Sequence, residues 1–97
     1  KPDDSITFDT KTGYELDLRG MDVLEAVDIT NEYLTNAQNA NWSEVRIIHG
    51  KGKGVLRMEI NKFLAKDKRV QEKRMGKYGE GDSGVTVVKL KPENEAG

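Results

Sequence analysis

Residues 49–54 read His-Gly-Lys-Gly-Lys-Gly and include the chain's single histidine. Glycines at 50, 52 and 54 carry no Cβ, so backbone N–H groups there can approach a ligand closely. Lys51, Lys53 and, just beyond, Arg57 add positive charge on mobile side chains. If a helix opens at Gly54, its first turn supplies unpaired N–H donors and the positive end of its dipole. Together these features make a phosphate cradle. It is not a P-loop: the G-x-x-x-x-G-K-[ST] spacing is missing, and so is the hydroxyl that would hold Mg²⁺. The ordinary pKa of His49 lies near neutrality, which suits a general acid or base; a histidine that only hydrogen-bonds the loop is the alternative.

A second segment, Asp17-Leu18-Arg19-Gly20, carries compatible chemistry. Arg19 cannot trade protons at usable pH, but its planar fork can clamp a phosphate. Its alternative partner is Asp17 or Asp22. Asp17 could orient Arg19, bind a metal or act as a base. One or two carboxylates do not make a two-metal nuclease site. Tyr78 lies in the glycine-rich stretch 76–84. It could stack on a splayed base, or simply cover a sheet end.

The elements that must position these residues follow from periodicity. Tyr14, Leu16 and Leu18 alternate with Glu15 and Asp17, the pattern of a half-buried strand. Ser5–Phe8 alternates too, so a short hairpin ahead of that strand is expected. Val23, Ala26, Val27, Thr30, Leu34 and Ala37 form one helical stripe, with Asp22 as its cap. Glu44–Ile48 reads as a central strand. A second helix starts near Gly54 and buries Leu56, Ile60, Phe63 and Leu64. Val70–Met75 is a charged strand, and Val85–Leu90 is the clearest strand in the chain.

The order is β-α-β-α-β-β. Strand–helix–strand links imply parallel neighbours and right-handed crossovers. The expected fold is therefore an α/β two-layer sandwich. It has a mixed four-stranded sheet, an antiparallel last strand and both helices on one face. Parallel strands end at one rim, so Asp17–Gly20 and His49–Gly52 should lie side by side, where open α/β sheets bind ligands. Residues 1–14 are expected to be a flexible leader or an extra hairpin strand, 15–91 the domain and 92–97 a disordered tail.

Composition narrows the function classes. Ninety-seven residues suit one domain. There is no cysteine, which excludes disulfides, thiolate metal sites and cysteine nucleophiles and fits a reducing cytoplasm. No apolar run reaches the roughly 20 residues of a membrane span, and no signal peptide is visible. The chain begins without Met, as an excised domain of a longer protein would. The net charge of −1 hides an asymmetry: residues 1–44 hold 3 basic and 10 acidic side chains, residues 45–91 hold 13 and 5. A basic half in a near-neutral domain is the footprint of a polyanion-binding face, or a set of solvated helix faces.

With LDLRG at 16–20, HGKGKGVLR at 49–57 and GEGDSGVTVVKL at 79–90, the chain resembles the small MutS-related (Smr) domain. It is most similar to the version at the C-terminus of the second type of bacterial MutS-like protein. The resemblance runs from about Glu15 to Leu90. It implies the fold argued above, shared with the C-terminal domain of translation initiation factor three. It also implies nicking of branched or structured DNA, or cleavage of RNA, within a larger MutS-like chain that carries an ATPase. That larger chain would be tied to suppressing recombination or to rescuing stalled ribosomes. Some members need a divalent metal, magnesium or manganese, for which Asp17 is the candidate ligand here. Carried over by motif, the functional positions are Asp17 and Arg19 in LDLRG and His49, Gly50, Lys51 and Gly52 in HGKG. Many members have LDLHG, so Arg19 removes one proton carrier and leaves general acid–base duty to His49 or Asp17. A non-catalytic module that docks on nucleic acid or the ribosome is the alternative reading.

Overall fold

The structure, a computed structural model, describes residues 14–79 and 82–92. The expected strand Ser5–Phe8 and the tail beyond residue 92 lie outside the described residues. Among the described residues four strands and two helices follow in order: β1 Tyr14–Asp17, α1 Val23–Asn39, β2 Glu44–Ile48, α2 Val55–Ala65, β3 Val70–Met75 and β4 Val85–Leu90. A single 3₁₀ turn, Asp82–Gly84, leads into β4. Among the described residues no helix is long and apolar enough to cross a membrane.

Local chemistry explains the boundaries. The Asp22 carboxylate accepts the Leu24 N–H at 3.0 Å, capping α1, a contact worth about 1 kcal/mol. Helix α2 starts differently. Gly54 is its N-cap at φ +84°, and no side chain caps the first turn. That left-handed conformation is open to glycine at no steric cost. A Cβ there would also stand 3.0 Å from the Arg57 guanidinium.

The sheet runs β1-β2-β4-β3. β1 and β2 are parallel, in register from Tyr14↔Val45 to Asp17↔Ile48. β4 is antiparallel to both of its neighbours. The expected fold class holds: a mixed sheet, an antiparallel last strand and both helices on one face. One expectation fails. β2 and β3 are joined through α2 and run the same way, yet they are not neighbours, because β4 lies between them. The reason is compositional. VTVVKL is buried at five of its six positions, whereas VQEKRM is exposed at four. The apolar strand takes the interior, and the charged one takes an edge.

The core lies between sheet and helices. Leu18, Leu34, Ile47, Ile60, Val88 and Leu64 are essentially inaccessible, and burying each is worth about 1.5–3 kcal/mol. Trp42 closes the end near β1, stacking on Tyr14 with ring centroids 3.8 Å apart and lying 6.0 Å from Tyr33. β1 and β2 therefore both end at the same rim, directly before Leu18-Arg19-Gly20 and His49-Gly50.

Candidate functional site

The two rim segments touch. The Leu18 N–H donates to the Ile48 carbonyl at 2.7 Å, extending the ladder by one residue. Gly50 sits at φ +83°, and a Cβ on it would be 3.2 Å from Arg19 Cγ. The glycine thus admits the arginine stem over the loop. The third segment joins from the other side. The Gly84 carbonyl accepts the N–H groups of both His49 and Gly50 at 3.0 Å. A Cβ on Gly84 would meet Lys51 Cγ at 3.2 Å and the Gly50 carbonyl carbon at 3.4 Å. The 3₁₀ turn therefore packs directly beneath the His-Gly-Lys-Gly loop.

Arg19 is held by Asp17. Its Nε donates to Asp17 Oδ1 at 3.0 Å and its Nη2 to Oδ2 at 2.8 Å; its backbone N–H also reaches Oδ1. These bonds hold the Asp17 carboxyl at a pKa of about 2, with the guanidinium hydrogen bond the largest cause. Asp17 is therefore a weak base, and both of its oxygens are committed to a cation. Among the described residues no three histidine, cysteine, aspartate or glutamate side chains cluster to hold a metal. The donor set at this rim does not fit a protein-held divalent ion: its carboxylates face cations, Asp17 on Arg19 and Asp82 on Lys51 at 3.7 Å.

His49 occupies a different environment from the one expected of a proton carrier. It is 5% exposed. Nε2 lies 2.8 Å from Thr86 Oγ1, and Nδ1 lies 3.1 Å from the Gly50 carbonyl oxygen. Burial, joined by the nearby Arg57 charge, pushes its pKa below the ordinary histidine value despite the Gly50 contact. The ring is neutral at pH 7 and engaged at both nitrogens.

The cationic rim lies above it. A shallow pocket of about 240 Å³ is lined by His49, Gly50, Gly52, Lys53, Arg57 and the start of α2. The backbone N–H groups of residues 51–57 donate to no acceptor among the described residues. Gly52 has open space where a Cβ would stand. Lys51, Lys53 and Arg57 are exposed around these amides. Asp17, Arg19, His49, Gly50, Lys51, Gly52, Lys53 and Arg57 are thus gathered at one rim. Tyr78 lies in the loop after β3 and is 96% exposed, so it covers no sheet end.

Thr86, Asn61 and Gly84 escaped the sequence reading. Thr86 Oγ1 accepts from Asn61 Nδ2 at 3.0 Å, and the same nitrogen donates to the Arg57 carbonyl at 2.8 Å. One signal was available: Thr86 is the only polar side chain in the buried part of VTVVKL.

Residues 16–91 match the family model described as the Smr domain. Over 77 residues, 79% of the chain, it is 53% identical to "Endonuclease MutS2" of Acetivibrio thermocellus and 54% identical to the protein of that name in Clostridium tetani. It spans about a tenth of the length of these curated relatives. The crystal structure of the Smr domain of Thermus thermophilus MutS2 is 44% identical and superposes with a TM-score of 0.80, covering 81% of this chain and 99% of that one. YdaL, a stand-alone small MutS-related protein from Escherichia coli, shares the fold at 24% identity, with a TM-score of 0.77 over 90% of this chain and 70% of its own. The motifs at residues 16–20 and 49–57, the sheet order and these matches agree: the chain belongs to the Smr family.

Proposed function

We propose that this chain is a nucleic-acid-binding endonuclease domain that hydrolyses phosphodiester bonds in branched or structured DNA, or in RNA, as part of a larger MutS-like protein with an ATPase. The observation that supports this most is the uncapped start of α2. Free amides from residue 51 onward stand beside Arg19, Lys51, Lys53 and Arg57. That is the arrangement a phosphodiester needs, because the charge on its non-bridging oxygens must be met by donors already in place.

In this reading Arg19, Lys51, Lys53, Arg57 and the glycine-loop amides hold phosphate. Asp17 aims Arg19, and Tyr78 stacks on an unpaired base. Charge stabilisation supplies the catalysis. His49 could move a proton only by releasing Thr86. Magnesium or manganese, if the reaction uses either, would be carried mainly by substrate oxygens, because Asp17 is paired with Arg19. The host protein would act in the cytoplasm, in recombination suppression or on stalled ribosomes.

The buried, engaged state of His49 and the low pKa of Asp17 favour a second reading, a docking module without cleavage. Cleavage assays of the purified chain on branched DNA and structured RNA, with and without EDTA, separate the two. Nicking supports the nuclease; tight binding without products under every metal condition supports the module.

A further inference from the structure

The hydrogen bonds around His49 form a directed chain between two backbone carbonyls. Carbonyl oxygens only accept, so both ends are fixed. At one end the Arg57 carbonyl takes a proton from Asn61 Nδ2 at 2.8 Å, which sets the amide's orientation. The second Asn61 proton then points at Thr86 Oγ1, 3.0 Å away. Thr86, having accepted there, donates its own hydroxyl proton to His49 Nε2 at 2.8 Å. An imidazole that accepts at Nε2 carries its proton on Nδ1. That proton meets the Gly50 carbonyl at 3.1 Å, the other fixed end. A doubly protonated ring would break this order, because Thr86 would face two donors and its own proton would lose its acceptor.

The chain has a geometric consequence at the rim. Among the described residues the peptide bonds are all trans. In a trans peptide the C=O and the following N–H point in opposite directions. Drawing the Gly50 carbonyl toward the buried imidazole turns the Lys51 N–H away from it. That N–H meets no acceptor among the described residues. Gly50 at φ +83° permits the conformation, and the two Gly84 bonds hold the loop from the other side.

We infer that Asn61 and Thr86 are positioning residues: acting through the Nδ1–H tautomer of His49, they hold the Gly50 peptide so that the Lys51 N–H faces the bound phosphate. His49 is then the inner strut of the cradle. The inference rests on the phosphate-binding reading of the rim and adds the residues that preset it. It also accounts for the buried Thr86 and for Asn61, which lines the neighbouring hollow beside Lys53, Gly54 and Arg57.

The test uses the whole chain, isotope-labelled, with inorganic phosphate as the probe. Long-range ¹H–¹⁵N spectra of the single imidazole report its tautomer, and the Lys51 amide shift reports anion binding. Wild type is expected to show the Nδ1–H form and a saturable Lys51 shift. Thr86→Val keeps the side-chain shape but removes the donor to Nε2. It should lose the Nδ1–H preference and weaken phosphate binding at Lys51 by about 3- to 10-fold, the size of one hydrogen bond. Thr86→Ser should restore both. Asn61→Leu, which leaves the strand untouched, should move both readouts the same way. An Nε2–H tautomer in wild type overturns the inference, as does Thr86→Val binding phosphate like wild type. If wild type keeps the Nδ1–H form but phosphate shifts no amide in the loop, the phosphate-binding reading itself has failed.

Discussion

The Asp17 carboxylate grips the Arg19 guanidinium through two side-chain bonds of 3.0 and 2.8 Å at an exposed rim. Two effects of Asp17 oppose each other. Its charge repels a phosphate, while its geometry aims the fork. Asp17→Asn should therefore leave affinity for DNA within about threefold of wild type, yet lower the cleavage rate by about 10- to 100-fold, because a misaimed donor costs the transition state most. Arg19→Lys should lower both, since an ammonium cannot reproduce the fork. Titrations and single-turnover rates on the same preparations check this; equal losses in affinity and rate for Asp17→Asn would refute the aiming role.

Two glycines of the loop should respond in opposite ways. Gly52 has open space where a Cβ would stand, so Gly52→Val should melt close to wild type. If backbone amides contact phosphate, the same variant should lose about tenfold or more in affinity. Gly50→Ala puts a side chain at φ +83° and against Arg19 Cγ at 3.2 Å. It should lose about 1–2 kcal/mol of stability from the backbone conformation alone. Thermal melts paired with binding curves decide both, and normal binding by Gly52→Val would make that glycine a turn residue only.

His49 should make stability depend on pH. Its folded pKa lies below the ordinary value of about 6.5, chiefly because of burial. The unfolded chain therefore binds more protons as pH falls below that value. The contribution is fully present above pH 6.5 and is lost on acidification toward the folded pKa. Asp17 and Asp67, both shifted downward, titrate at lower pH, and there is no second histidine. Urea melts at pH 7.5 and 5 should show a loss in wild type that is much smaller in His49→Gln. Equal losses in the two proteins would mean that His49 is not buried neutral.

The helices and the first strand were legible because each has a clean period, whereas β3 and β4 were legible from composition and from the turn residues that bound them. Asp22 capped its helix as its side chain promises, and Ile60 and Leu64 buried the expected stripe. The position of β4 was harder to see, because periodicity gives faces and not the order of strands. The charge asymmetry was only half informative. Of the basic residues in 45–91, Arg69 spends all its donors internally, on Asp67, on Asn31 and on Thr35. Arg46 pairs with Glu15. A count of charges cannot show which ones are already neutralised. Likewise His49 looked like a rim residue by spacing, and its partner Thr86 lies 37 positions away. Only the antiparallel pairing of β2 with β4 brings the two together.

Electrostatic binding should depend strongly on salt and weakly on sequence. The exposed cations Lys51, Lys53, Arg57 and Arg19 would each displace counterions. Log affinity for duplex DNA should fall with log salt by roughly 0.9 per neutralised phosphate. Replacing Lys51 and Lys53 together by Ala should flatten that slope by nearly 2 if each meets one phosphate, as estimated from the same relation. Arg69→Lys, which alters a cation tied up inside the fold, should leave the slope unchanged. A sharp sequence preference that survives at high salt would contradict backbone recognition.

His49→Ala distinguishes a strut from a proton carrier. A general acid or base acts on the chemical step, so losing it would cut the rate by about 2–4 powers of ten and spare binding. A strut sets the Gly50 peptide in ground and transition state alike, so losing it should lower affinity as well as rate. The second pattern is expected, because Nε2 and Nδ1 are both engaged and the ring is nearly inaccessible. Between pH 5.5 and 8 the wild-type rate should also lack the single-proton step of a catalytic histidine. Thr86→Val adds a control that alters no atom at the rim surface. It should shift rate and affinity in the same direction as His49→Ala, to a smaller degree. If His49→Ala instead binds normally, cleaves slowly and abolishes a pH step present in wild type, His49 leaves Thr86 during turnover and carries the proton itself.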